Sequence, residues 1–335
     1  MICEAPCVNI AVIGLGLIGG SVLRALATAG HTVYGYDVDP ATRAAARTAA
    51  AQAPAAARWQ VAGSVPDAVA RAELVVVAVP LPAVDEVLYQ LVSAGYTGLV
   101  TDVTSVKEPV RKLVEQRLSG PHARLAGFIG GHPMAGRETS GFTAADPDLF
   151  TGCAWALCLE PDTSLADWLL LADLITRLGA RVVPTTAAEH DRAVAAISHV
   201  PHLLAAALAA SVADDRLALT LAAGSFRDGT RVAATPPALT AAMCGGNAAA
   251  VKPALAKVTD VLADAAAALD SAHPIPQLRE WLTTGAQVRG DWPPRAHDRA
   301  TLPARADVLL RLGRVGGWVT AVAPDRRTVS AVRPA

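Results

Sequence analysis

His132 lies in the run GFIGGHPMAGRETSG, residues 127–141, where small residues surround a single imidazole. Pro133 biases it toward extended backbone, and Gly130, Gly131 and Gly136 let main chain approach a ligand closely. A neutral imidazole, with an unperturbed pKa of about 6.5, accepts an alcohol proton at neutral pH. His132 is therefore a candidate base for taking a substrate hydroxyl proton as hydride leaves the same carbon; the plainer alternative is a histidine bonded to backbone in a tight turn. In GSFRDGTRVAAT, Arg227, Asp228, Thr230 and Arg231 form a polar island within an apolar stretch. Arginines buried among alanines need anionic partners. If Asp228 neutralises Arg227, the planar fork of Arg231 is available for a substrate carboxylate; an internal network of the three charges is the alternative. In SHVPH, His199 and His202 share a helix face, and Pro201 removes the hydrogen bond back to the Ile197 carbonyl. A kinked helix with two imidazoles could reach over a cleft, and structural histidines on a buried helix are the competing reading. The HxxH spacing lacks the geometry and glutamate of a zinc-protease helix, and the five cysteines show no CxxC pattern, so no metal site is expected.

A second constellation is G-x-G-x-x-G, formed by Gly14, Gly16 and Gly19 in AVIGLGLIGGSVLRAL. The first glycine permits a tight turn, the second lets backbone approach a pyrophosphate, and the third lets helix and strand pack closely. Leu17 and Ile18 fill the intervening positions and complete the cofactor loop. Asp37 ends the strand-like run YGYD, where a carboxylate accepts from ribose hydroxyls and repels the extra phosphate of NADP. NAD is thus expected over NADP, although nearby Arg43 is the kind of group a 2′-phosphate needs. Ligands of open α/β sheets bind beyond the carboxyl ends of strands. Pro80 after LVVVAVP, and Thr104, Ser105 and Lys107 after GLVTDV, join His132 there.

Positioning these residues requires elements that the sequence announces. The runs VNIAVIG, TVYGYD, LVVVAVP, GLVTDV, LAGFIG, CAWALCLE and ARVVP are nearly continuously apolar, as strands buried on both faces must be, and they alternate with alanine-rich helical segments. This predicts an α/β class: a doubly wound, Rossmann-type dinucleotide-binding domain over 8–184. From 185 to about 300 the periodicity is helical with almost no strand signal, predicting an all-helical domain. Residues 301–335 read as a basic, Pro-punctuated tail too short for a domain of its own, with VLLRLGRV and GWVTAVAP as two short strands around Gly316 and Gly317. Twenty-nine basic and 30 acidic residues leave a net charge of -1, which favours a small-molecule partner over nucleic acid or an anionic membrane. Hydrophobic residues make up 52%, which raises the question of a membrane span. The longest uncharged run, residues 193–213, contains His199 and His202 and has no aromatic belt, so it reads as a buried core helix. The N-terminal run leads into the glycine loop without a basic n-region or a cleavage site, and reduced thiols fit a cytoplasmic protein.

GLGLIGGS, VVVAVP, DVTSVK, GGHPMAGRETSG, EHDRAVAAISHVPH and GSFRDGTRVA, in this order, resemble the prephenate/arogenate dehydrogenase family of tyrosine biosynthesis over roughly residues 8–290. The resemblance implies oxidative decarboxylation of a cyclohexadienol. Hydride passes from the hydroxyl-bearing ring carbon to NAD, carbon dioxide leaves, and an aromatic ring forms. It further implies that His132 deprotonates the ring hydroxyl, that Ser105 bonds the same region and orients the imidazole, and that Arg231 binds a substrate carboxylate. His199 and His202 would line the substrate pocket, and Glu138 would gate it or pair with Arg231. A homodimer through the helical domains is implied as well, whereas the short tail puts tyrosine feedback through a C-terminal regulatory domain in doubt. Prephenate is the expected substrate and arogenate the alternative. A hydroxyacid or imine oxidoreductase on the same plan would rely on a lysine in the helical domain and leave SHVPH without a role. A non-catalytic dinucleotide sensor would need an effector surface that the sequence does not display.

Overall fold

A computed structural model describes residues 7–118, 126–137 and 139–334. The chain divides into two compact units, Met1–His190 with Arg299–Arg333, and Asp191–Asp298. In the first unit, β1 (Asn9–Ile13), β2 (Thr32–Tyr36), β3 (Gln60–Val61), β4 (Leu74–Val77), β5 (Leu99–Asp102) and β6 (Gly127–Ile129) form one sheet in the order β3-β2-β1-β4-β5-β6. Every pairing in it is parallel, and β4 and β5 are buried along their whole length, which explains the unbroken apolar sequence of β4. The order 3-2-1-4-5-6 is that of a doubly wound dinucleotide-binding fold, as the sequence predicts.

The runs CAWALCLE and ARVVP do not extend this sheet. As β8 (Ala154–Cys158) and β9 (Arg181–Thr185) they enter a second, mixed sheet with β7 (Gly131–Pro133), β10 (Ala296–Pro303), β11 (Trp318–Val322) and β12 (Thr328–Pro334), in the order β10-β12-β11-β9-β8-β7. The chain crosses from the first sheet to the second at Gly130, between β6 and β7, one residue before the strand that carries His132. A single apolar core joins Ile10, Val12 and Leu74 of the first sheet to Leu157, Val182, Val319 and Val329 of the second.

The C-terminal residues are thus no tail: Arg299–Arg333 belongs to the first unit. VLLRLGRV, expected as a strand, lies in the helix Ala306–Arg314 instead. Leu309 and Leu312 recur at helical spacing and are buried, while Asp307 pairs with Arg311 across one turn, so the period of 3.6 outweighs the β-branched valines. The second unit is helical: it contains Val200–Ala210, Arg216–Leu221, Gly224–Thr230, Pro237–Gly246, Ala248–Leu269 and Pro274–Asp291. The described helix Ala187–Ala210 is long and apolar enough, by length and composition, to cross a bilayer. The expectation of a buried core helix over residues 193–213 does not hold within one chain: only 28% of the apolar window is buried, Ile197 is 67% exposed, and most of Val200–Ala210 is not buried.

Candidate active site

Each glycine of the loop after β1 answers a different steric demand. Gly14 has φ +97, and a Cβ there would stand 2.5 Å from the Ala78 carbonyl oxygen. At Gly19 a Cβ would meet the Gly14 oxygen at 1.9 Å, so helix Leu17–Thr28 packs on the loop with no room for a side chain. Gly16 has nothing within 4 Å of its Cβ position and no side chain caps the helix it begins, which leaves an open approach to a helix N-terminus whose first turn carries Leu17 and Ile18. That is an anion-binding end with the space a pyrophosphate requires. The cradle fits a dinucleotide, with Gly14, Gly16, Leu17, Ile18 and Gly19 as the residues that would hold it.

Asp37 stands beside this loop: its Oδ2 accepts the Leu15 N–H at 2.7 Å and its Oδ1 the Asp39 N–H at 2.9 Å. Arg43 turns to the main chain, donating to the Asp37 and Val38 carbonyls at 2.6 and 3.0 Å, and lies over the Tyr36 ring. Pro80 is exposed and caps the helix Leu81–Ser93 just beyond β4.

The histidine loop is held more tightly than its glycine content suggests. His132 pairs with Ala156 across the antiparallel β7–β8 ladder. At Gly131 a Cβ would lie 2.8 Å from the Asp102 carbonyl oxygen and 3.0 Å from Trp155 Nε1, so only glycine fits where β7 meets β5. The clamp consists of Asp102 and Lys107, which form a buried ion pair with 0% and 1% of their side chains exposed. Lys107 Nζ donates to the Gly131 carbonyl at 2.6 Å and to Thr104 Oγ1 at 3.1 Å, while Asp102 Oδ1 accepts the Gly131 N–H at 3.2 Å. Both charges therefore grip the residue preceding His132, and half-buried Ser105 lies in the loop between them. The sequence reading passed over Asp102 and gave Lys107 no role; the signal was a carboxylate closing the strand run GLVTD and an ammonium five residues on.

The ring of His132 meets a second imidazole. Its Nδ1 is 2.9 Å from Nε2 of His190, and the two rings stand edge to face at 73°. His190, which is buried, was also missed, although it stands in the quoted run EHDRAV.

The helical unit gathers the other candidates. His202 hydrogen-bonds with the Val232 main chain, its Nδ1 is buried without a hydrogen-bond partner, and Arg231 opens the 3-10 turn Arg231–Ala234 on which it rests. Burial first, and then the Arg231 charge, push the His202 pKa below its ordinary value. The structure brings His202 and Arg231 together but corrects the picture of a buried polar island: Arg227 and Arg231 are exposed, and Arg227 stands 3.5 Å from Asp228. His199 lies deeper than His202. It is fully buried, with its Nδ1 3.2 Å from Asn247 Nδ2, and that amide also donates to the Asp191 carbonyl at 2.7 Å. A π-turn, Ala195–His199, ends on this histidine, inserted where Pro201 cannot donate to Ile197. Glu138 lies outside the described residues. Among the described residues no cluster of metal-ligating side chains occurs, and Cys7, Cys153 and Cys244 are free thiols.

Residues 22–184 match the family model described as prephenate dehydrogenase, nucleotide-binding domain, and residues 186–284 that described as prephenate dehydrogenase, dimerization domain. The chain is 36% identical over 168 residues to the prephenate dehydrogenase of Lactococcus lactis, covering 48% of this chain and 45% of that protein, so it spans about half the length of that relative. It is 33% identical to the cyclohexadienyl dehydrogenase of Zymomonas mobilis, over 74% of this chain and 83% of that one. The solved arogenate dehydrogenase of Synechocystis superposes with a TM-score of 0.69 at 28% identity, covering 84% and 98% of the two chains.

Proposed function

The chain belongs to the prephenate dehydrogenase family, and from that premise we propose that it carries out the NAD-dependent oxidative decarboxylation of prephenate to 4-hydroxyphenylpyruvate. The single observation that carries the reading is the His132–His190 contact on a strand clamped by Asp102 and Lys107. If His132 Nδ1–H donates to His190 Nε2, the lone pair of His132 lies on Nε2, which takes the proton of the substrate hydroxyl. The bond to His190 then steadies the imidazolium as charge develops, in the way a third group orients a catalytic base. Ser105, in the loop tied to the same strand, bonds the substrate hydroxyl. Arg231 binds a substrate carboxylate and His202, kept neutral by burial and by that arginine, lines the site. When bound, the dinucleotide supplies the hydride acceptor. NAD is favoured over NADP because Asp37 faces the loop and Arg43 is engaged by main-chain carbonyls.

The helical unit supplies the partner surface. Among the described residues its buried hydrophobics are Val194, Ala195, Val200, Ala205, Val251 and Ala268, whereas Leu221 and Ile275 are 71% and 81% exposed. A helical unit with so small a core needs its apolar faces covered, and a second copy of the same chain covers them.

The test is turnover of prephenate and arogenate, offered separately with NAD and with NADP and followed by nicotinamide absorbance, for the wild type and His132→Asn. Prephenate oxidation that falls by about 10²–10⁴-fold in the variant, with dinucleotide affinity retained, is the expected result. Near-normal turnover in the variant refutes the mechanism, and exclusive use of arogenate refutes the substrate.

A further inference from the structure

The residues beyond 284 lie outside both family matches, yet Arg299–Arg333 is built into the unit that carries His132. Strand β11 pairs with β9 through Val319 and Val182, and Leu309, Val319 and Val329 are fully buried. The helix Ala306–Arg314 lies so close on β9 that a Cβ at Gly313 would be 1.8 Å from the Pro184 carbonyl oxygen. Pairing and burial of this kind would suffice to shield a sheet edge. The segment does something more, because its helix ends with a side chain directed at the approach to His190.

Arg314 Nε donates to Glu189 Oε1 at 2.7 Å. Glu189 is the acidic member of a capping box on the helix Ala187–Val194. Its Oε2 accepts from the Thr186 N–H and hydroxyl at 3.2 and 3.1 Å, and Thr186 Oγ1 accepts the Glu189 N–H at 3.2 Å. Burial pushes the Glu189 carboxyl up, but Arg314 and Thr186 together outweigh it and hold the group below its ordinary range. One residue further along the same first turn is His190, whose Nε2 lies 2.9 Å from Nδ1 of His132.

We infer that the C-terminal segment is a positioning device for the catalytic base: Arg314, through Glu189 and the first turn of the helix, holds the His190 ring against His132 and so fixes the orientation and tautomer of the base. The inference rests on the proposed role of His132. A half-exposed ion pair contributes little to global stability, so its effect is concentrated on the placement of the turn it anchors. Placement matters there, since about 1 Å of displacement at a reacting group costs up to about 100-fold in rate.

The experiment compares Arg314→Met and Arg314→Lys, each alone and combined with His190→Asn. It measures kcat, KM, NAD affinity, melting temperature and the ¹⁵N resonances of histidine-labelled dimer, which has eight histidines per chain and is therefore readable. Arg314→Met should lower kcat about fivefold, with KM and NAD affinity unchanged. It should also shift the ring resonances of His132 and His190, and Arg314→Lys should restore most of both. In the His190→Asn background the methionine should cost nothing more. An unchanged kcat with unshifted rings overturns the inference, as does an equal loss in the His190→Asn background. If the wild type oxidises neither prephenate nor arogenate, the functional reading fails, and the ring resonances of Arg314→Met still decide whether the segment positions the pair.

Discussion

Lys107→Met is the perturbation that most directly probes how His132 is held. It removes the cation from a site where Asp102 has no solvent exposure, and breaking a buried pair from one side costs about 3–5 kcal/mol because the remaining charge stays desolvated. Asp102→Asn has a similar cost from the other side, leaving an ammonium buried. The double variant is a different case. Asparagine keeps an oxygen for the Gly131 N–H and methionine matches the lysine stem, so what is lost is the donation from Lys107 to the Gly131 carbonyl and Thr104, together with the bonds that the Thr104 N–H and hydroxyl make to Asp102 Oδ2. These four bonds amount to about 4 kcal/mol, against about 8 kcal/mol for the sum of the single changes, so a coupling of about 4 kcal/mol is expected. Urea unfolding followed through Trp155 and Trp168, both buried in this unit, reads the cycle. With a slope of about 3 kcal/mol per molar urea, each single variant should move the midpoint down by more than about 1 M, and the double variant by about as much as one single variant. Single effects that simply add would show that the two charges do not act on one another, and the clamp argument would then be wrong. Turnover of Lys107→Met should fall as well, because the released Gly131 carbonyl frees the strand bearing His132.

The two glycines of the cofactor loop should separate fold from binding. Gly14→Ala, at φ +97 and against the Ala78 carbonyl, should destabilise by about 2 kcal/mol or more in a thermal melt, whereas Gly16→Ala should leave the melt nearly unchanged and weaken NAD binding about tenfold in a titration. Asp37→Ser should narrow the NAD over NADP preference about tenfold, read as the ratio of kcat/KM for the two nucleotides. Because the Glu189 carboxyl is held below its ordinary range, the stability it lends is complete above the unfolded pKa of about 4.3 and is lost as pH falls through the folded one. The stability gap between wild type and Arg314→Met should therefore be wider at pH 7 than at pH 3 in urea titrations. Leu262→Asp and Leu269→Asp, exposed on one face of the helix Ala248–Leu269, should shift sedimentation from dimer to monomer, and an unchanged sedimentation coefficient would place the interface elsewhere.

Much of the first sheet was legible because burial on both faces forces an unambiguous run such as LVVV, and because three glycines with three separate steric reasons leave a fixed spacing. The mixed sheet was not, since β8 and β9 carry the same apolar signal whichever sheet they join. VLLRLGRV misled for a related reason: over eight residues its valines and leucines satisfy both a strand and one amphipathic turn of helix, and the pairing of Asp307 with Arg311 is what tips the balance. His199 and His202 are three apart and share a helix face, yet His199 is fully buried against Asn247 while His202 is half-buried beside Arg231, a difference that comes from the neighbouring turns and not from spacing.

The histidine loop shows why a flexible composition need not give a flexible site. Gly130 is where the chain leaves one sheet for the other, and Gly131 is where β7 passes the Asp102 carbonyl with no space for a Cβ, so both glycines are present for contact and not for motion. Once main chain is packed that closely it can be held from both of its polar sides, and Asp102 takes the Gly131 N–H while Lys107 takes its carbonyl. The next residue inherits that rigidity in its backbone, and His190 extends it to the ring. A general base on an ordinary surface loop would spend rotamer entropy each time it met its substrate. If His132 is the base, as proposed, that cost is met during folding, by a buried ion pair that contributes little to stability by itself.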